Sequence, residues 1–134
     1  MSPKRKRIFY GTIIARLVEK LQMEFKPLQT AEQLEKISSS DVSNIIFKHN
    51  TTCPISRSVK RKLEEDEDLV PSETPAFILD LNSHRDISDA VAANFEVEHE
   101  SPQLLLVKNG KCLYNQSLYN ISPEETAQAI EENK

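Results

Sequence analysis

The chain predicts an α/β fold: a mixed central sheet of about four to five strands with helices on both faces. Three observations predict it. Segments of strand length alternate with segments of helical period from Met23 onward, each is bounded by its own cap or turn signal, and the last two strand-like runs are joined by Asn109-Gly110.

Taken in order, "EFKPLQT" (24–30) reads as a short strand. Thr30 with Gln33 then forms a capping box that opens a helix whose Leu34 and Ile37 face inward. "SNIIFKHN" (43–50) is an apolar run of strand length. After Thr51, Thr52 and Cys53 comes Pro54, a residue favoured at the first helical position because its missing N–H leaves nothing unsatisfied there. Cys53 is therefore expected at a helix N-cap. Ile55, Val59 and Leu63 recur every four residues and give that helix one apolar stripe, with Arg57, Lys60, Arg61 and Lys62 mostly outside it. The acidic run "EEDED" (64–68) is expected to end it in a solvated loop. "AFILDLN" (76–82) is the next strand, and Ser83 with Asp86 opens a helix carrying Ile87, Val91 and Phe95. "SPQLLLVKNGKCLYNQS" (101–117) is a hairpin turning at Asn109-Gly110, the strongest short signal for a type I′ turn, and Ser122, Pro123 and Glu125 cap a final helix.

Composition narrows the function classes. At 134 residues, 38% hydrophobic and 28% charged, the chain suits one globular domain, and no stretch approaches the roughly 20 apolar residues of a membrane span. Six Lys or Arg stand against Glu19 in residues 1–22, whereas the remainder holds 11 basic and 20 acidic residues, so the body is acidic and nucleic acid is not an expected partner. The basic, amphipathic residues 1–22 are read as an extension, helical or foreign to a domain spanning 23–134. With only Gly11 and Gly110, neither a dinucleotide fingerprint nor a P-loop can be written. His49 and Cys53 have metal-ligand spacing but no further ligands, so no metal is expected. Cys53 and Cys112, far apart in unlike contexts, do not form a secreted disulfide framework, which points to a reducing, cytoplasmic setting.

The order β-α-β-α-β-α-β-β-α is that of the thioredoxin fold. Such folds hold a reactive cysteine at the start of the helix after the central strand, facing a cis-proline just before the hairpin; Ser101-Pro102 stands where that proline is expected. Unpaired N–H groups and the dipole at a helix N-terminus stabilise an anion, and Arg57 and Lys60 add positive potential, so the nucleophilic thiolate of Cys53 is expected to be favoured. The competing reading is a buried, inert cysteine, for which a strand-to-helix loop ending in proline is a poor location. Ser56 occupies the position where a dithiol enzyme has its second cysteine, so Cys53 is expected to act alone, through a mixed disulfide that another thiol releases.

"TTCPIS", "NFEVEHESPQLLLVKNG" and "SLYNIS" resemble the monothiol bacilliredoxins, the YtxJ-like thioredoxin-fold proteins of bacteria that use bacillithiol, and the resemblance covers about residues 25–131. It implies Cys53 as the nucleophile, Ser56 in place of a resolving cysteine and Pro102 as the cis-proline. It further implies that bacillithiol is the thiol co-substrate, that no cofactor is bound, and that S-bacillithiolated proteins are the partners. Bacillithiol is anionic, so Arg57 and Lys60 are candidates to attract its malate carboxylates, against the plainer reading of a solvated helix face. Thr52 and Pro54 flank the thiol, and Ser101 offers backbone groups with which an extended substrate would pair. The chain departs from the family at Leu118, where histidine is common. Glutathione or coenzyme A as the thiol, and a binding module without redox chemistry, remain open alternatives.

Overall fold

The computed structural model describes residues 24–65, 70–71 and 73–134; the basic segment 1–22 and most of the acidic run lie outside them. The elements are β1 (Phe25–Pro27), α1 (Ala31–Ser38), β2 (Asn44–His49), α2 (Pro54–Glu65), β3 (Ala76–Asp80), α3 (Arg85–Phe95), β4 (Gln103–Lys108), β5 (Lys111–Ser117), a 3-10 turn (Leu118–Asn120) and α4 (Pro123–Glu132). The five strands form one sheet in the order β1-β3-β2-β4-β5. β1 and β2 run parallel to β3, and β4 runs antiparallel to both β2 and β5.

Local chemistry explains most boundaries. The Thr30 capping box is present: Gln33 N–H donates to Thr30 Oγ1 (3.2 Å) and Thr30 N–H to Gln33 Oε1 (3.1 Å). β1 is shorter than the sequence suggests because Pro27 has no N–H for the ladder, and it occupies the sheet edge, where proline is tolerated. The expected N-cap Ser83 is corrected to His84: Ser83 Oγ instead donates to Asp80 Oδ2 (3.2 Å), so its hydroxyl closes the preceding turn. Glu64 and Glu65 belong to the last turn of α2 rather than to a loop after it. Asn109 and Gly110 both have positive φ (53° and 75°), as a type I′ turn requires.

β2, flanked by β3 and β4, is buried at every residue, which is why its sequence does not alternate. Ile45 and Phe47 pack with Val59 and Leu63 of α2, Leu104 and Leu106 of β4 and Ile130 of α4. Ile46 packs on the other face with Leu34 and Ile37 of α1, Leu79, Leu105, and Ile87, Val91 and Phe95 of α3. Two cores thus share one sheet, and β2 delivers the loop that carries Cys53 into the helix on one of its faces.

Candidate active site around Cys53

The loop from β2 to α2 is built on Asn50. Thr52 N–H and Oγ1–H both donate to Asn50 Oδ1 (3.0 and 2.7 Å), and Cys53 N–H donates to Asn50 O (3.1 Å), an Asx turn that leaves Thr51 and Thr52 exposed. Arg57 N–H donates to Cys53 O (3.1 Å), the first bond of α2, so Cys53 holds the N-cap position with Pro54 as the first helical residue. Cys53 is partly exposed and has a free thiol.

Ser56, one turn on, points inward and is fully buried. Its Oγ accepts Asn50 N–H (2.9 Å) and lies 2.7 Å from His49 Nδ1, so we assign the hydroxyl proton to that bond and the ring proton to Nε2. The His49 ring stacks on Phe47, with centroids 5.7 Å apart. Burial, reinforced by Lys60 and offset by Asp80 and Glu64, holds His49 below the usual histidine pKa, which favours the uncharged ring. Ser56 and His49 therefore clamp the ends of the Cys53 loop together.

The Ser101–Pro102 bond is cis. Lys48 pairs with Gln103, so Pro102, buried at the entrance to β4, leaves the sheet at the end where β2 hands over to the Cys53 loop. Pro102 O accepts Leu118 N–H (3.0 Å), and the 3-10 turn that Leu118 begins packs on α2. Leu118, with φ 56°, and Tyr119, both exposed, stand on that side. Ser101 Oγ is buried without a partner among the described residues.

Sequence reasoning missed what holds the proline loop. Lys48 is fully buried; its Nζ donates to Ser88 O (3.2 Å) and lies 3.1 Å from His99 Nδ1, while Ser88 Oγ lies 3.3 Å from the same nitrogen. Burial lowers its pKa to about 8, with Asp89 opposing and Arg85 adding to the fall. His99 is likewise held low by burial first and then by Lys48 and Arg85. Gln103 Nε2 donates to Glu98 O (3.0 Å) and its Oε1 accepts Glu100 N–H (3.4 Å). The signal was in the sequence: a polar residue inside a central strand buried on both faces must find partners.

Of the other expected site residues, Arg57 is exposed and Lys60 is paired with Glu64 (2.9 Å). Both line a cleft of about 660 Å³ beside α2. Cys112 lies in β5 opposite Val107, which pairs with Asn44 at the far end of β2, on the order of 15 Å along the sheet from where the Cys53 loop begins. Its thiol donates to Tyr114 O (3.3 Å), and burial pushes its pKa up. Among the described residues no three His, Cys, Asp or Glu side chains are grouped to hold a metal, and no helix is long and apolar enough to cross a membrane.

The sequence profile described as monothiol bacilliredoxin BrxC matches residues 26–126. The chain belongs to that family. This BrxC-family chain is also similar to a solved structure described as a candidate oxidoreductase with a thioredoxin fold, at 28% identity and a TM-score of 0.68, covering 77% of this chain and 90% of that one. The thioredoxin from Trypanosoma brucei brucei matches at 16% identity and a TM-score of 0.65, over 81% and 89% of the two chains. Spinach chloroplast thioredoxin f matches at 10% identity and a TM-score of 0.63, over 84% and 96%. The last two show the fold alone. Family and fold together make the BrxC-family chain a thiol oxidoreductase.

Proposed function

We propose that this chain removes bacillithiol from S-bacillithiolated proteins by a monothiol mechanism centred on Cys53. The Cys53 thiolate attacks the bacillithiol sulfur of the mixed disulfide; the new S–S bond forms as the old one breaks, and the protein thiolate leaves and takes up a proton. A second thiol then attacks the Cys53 adduct, releasing bacillithiol disulfide-linked to that thiol. Thr52 and Pro54 border the attacking sulfur, and the backbone at Ser101, before Pro102, is the pairing edge for an extended substrate. Bacillithiol is a co-substrate in this scheme, and a reducing, cytoplasmic compartment suits it.

The observation that carries the reading is the isolation of the Cys53 thiol. It is partly exposed at the start of α2, the position one turn on is a buried serine already bonded to His49 and Asn50, and Cys112 lies at the far end of the sheet. The test is to react the purified protein with an S-bacillithiolated protein and weigh the products. An adduct of bacillithiol mass on Cys53 is expected, absent in Cys53→Ser and retained in Cys112→Ser. A Cys53–Cys112 disulfide in its place would sink the monothiol mechanism, and a Cys53 protected from alkylation until denaturation would sink the redox reading.

A further inference from the structure

The cleft beside α2 lies on the β3 side of β2, whereas Pro102 lies on the β4 side. It opens outside the carboxyl ends of β1, β2 and β3, where Leu28, Thr51 and Asp80 line it. β2 continues into α2 on one face of the sheet and β3 into α3 on the other, as their separate cores require. Such a divergence of neighbouring parallel strands is where open α/β sheets bind ligands. A volume of about 660 Å³ falls in the range of small-molecule sites, and Thr51 and Arg57 bring its rim to within two residues and one helical turn of Cys53.

Its charges are unevenly engaged. Lys60 is paired with Glu64. Asp80 accepts Asn82 N–H (3.0 Å) and Ser83 Oγ–H (3.2 Å), so both of its oxygens serve its own turn. Arg57 and Arg61, four residues apart and exposed on the cleft-lining face of α2, make no ion pair among the described residues. His84 also lines the cleft. Two guanidiniums one turn apart, each with a planar fork of donors, suit a carboxylate-bearing ligand better than a neutral one.

We propose that this cleft seats the carboxylate-bearing part of the small thiol that Cys53 carries as a mixed disulfide, with Arg57 and Arg61 as its anion-binding pair. The proposal rests on Cys53 as the exchanging nucleophile and adds where the carboxylates of its thiol are seated: Arg57 and Arg61 stand roughly 6 and 12 Å beyond Cys53 along the axis of α2. In loading, the Cys53 thiolate bonds to one sulfur of a disulfide, the S–S bond breaks, and the other half leaves as a thiolate that is protonated by water.

Two disulfides of nearly equal size test it: glutathione disulfide, which keeps its carboxylates, and the disulfide of glutathione diethyl ester, which has none free. The rate of adduct formation on Cys53, read by quenched mass spectrometry at fixed ionic strength, is expected to favour the first by about tenfold. That ratio should collapse toward one in Arg57→Gln/Arg61→Gln, fall in Arg61→Gln, and recover in Arg61→Lys. In Arg85→Gln, which removes a cation outside the cleft, it should stay within about twofold of the wild type. A ratio unchanged in the double variant, or lowered equally by Arg85→Gln, overturns the cleft while leaving Cys53 as nucleophile. Failure of Cys53 to react with either disulfide overturns both.

Discussion

Ser56 is engaged twice, accepting from Asn50 N–H and donating to His49, so it is a structural part of the Cys53 loop as well as the place of a missing thiol. Ser56→Ala should leave a buried N–H and a ring nitrogen unpaired and cost about 1–3 kcal/mol in urea unfolding. Ser56→Cys should convert the enzyme chemically: the new thiol, one turn from Cys53, expels the bound small thiol, and mass analysis after one turnover shows an internal disulfide in place of the adduct. Lys48 gives a pH signature. Its folded pKa of about 8 is below the ordinary 10.5, so between those values the unfolded chain holds a proton that the folded one has released, and stability rises with pH. Relative to Lys48→Met, the wild type should therefore gain stability across pH 8 to 10.5, by about 3 kcal/mol at the upper end, and a flat difference would exclude it. His49 and His99, also lowered, act in the same direction on the acid side: as pH falls below the usual 6.5 the unfolded chain takes up protons first and stability is lost.

At the level of elements, α3 ends on a conformation its sequence does not favour. Glu96 is exposed and caps the helix at φ 53°, ψ 45°, with its N–H donating to Ala92 O. Glycine adopts this left-handed cap without the Cβ clash, so Glu96→Gly should stabilise the domain by about 1 kcal/mol, seen as a higher thermal midpoint with unchanged thiol exchange. The same chemistry explains which boundaries were legible. The Thr30 capping box, Pro54 at the start of α2 and Asn109-Gly110 satisfy or free backbone groups within a few residues of themselves, so they read directly. Ser83 did not, because its hydroxyl had a second local acceptor in Asp80, and four residues of sequence do not say which acceptor wins.

Across the whole molecule, β2 and β4 lie at the centre of both cores, and Phe47 and Leu105 look to opposite faces with no exposed surface. Their amides are expected to exchange with deuterium only on global unfolding, while those of the α3-to-β4 loop exchange by local opening; equal protection would mean that the loop is part of the central foldon. The sequence by itself determined the order of elements, the N-cap position of Cys53 and the serine three residues later, because caps, turn residues and hydrophobic period act over short spans of chain. It also named Pro102, since X-Pro ahead of a hairpin is visible as text. Only the tertiary structure decided that Lys48 ties Ser88 and His99 together beneath the proline loop, that Ser56 bonds to His49, that Cys112 lies at the far end of the sheet, and that Arg57 and Arg61 share a cleft with Asp80 and His84. Those partners stand from 4 to 51 residues apart in the chain, and it is the sheet order β1-β3-β2-β4-β5, set by burial on two faces at once, that brings them together.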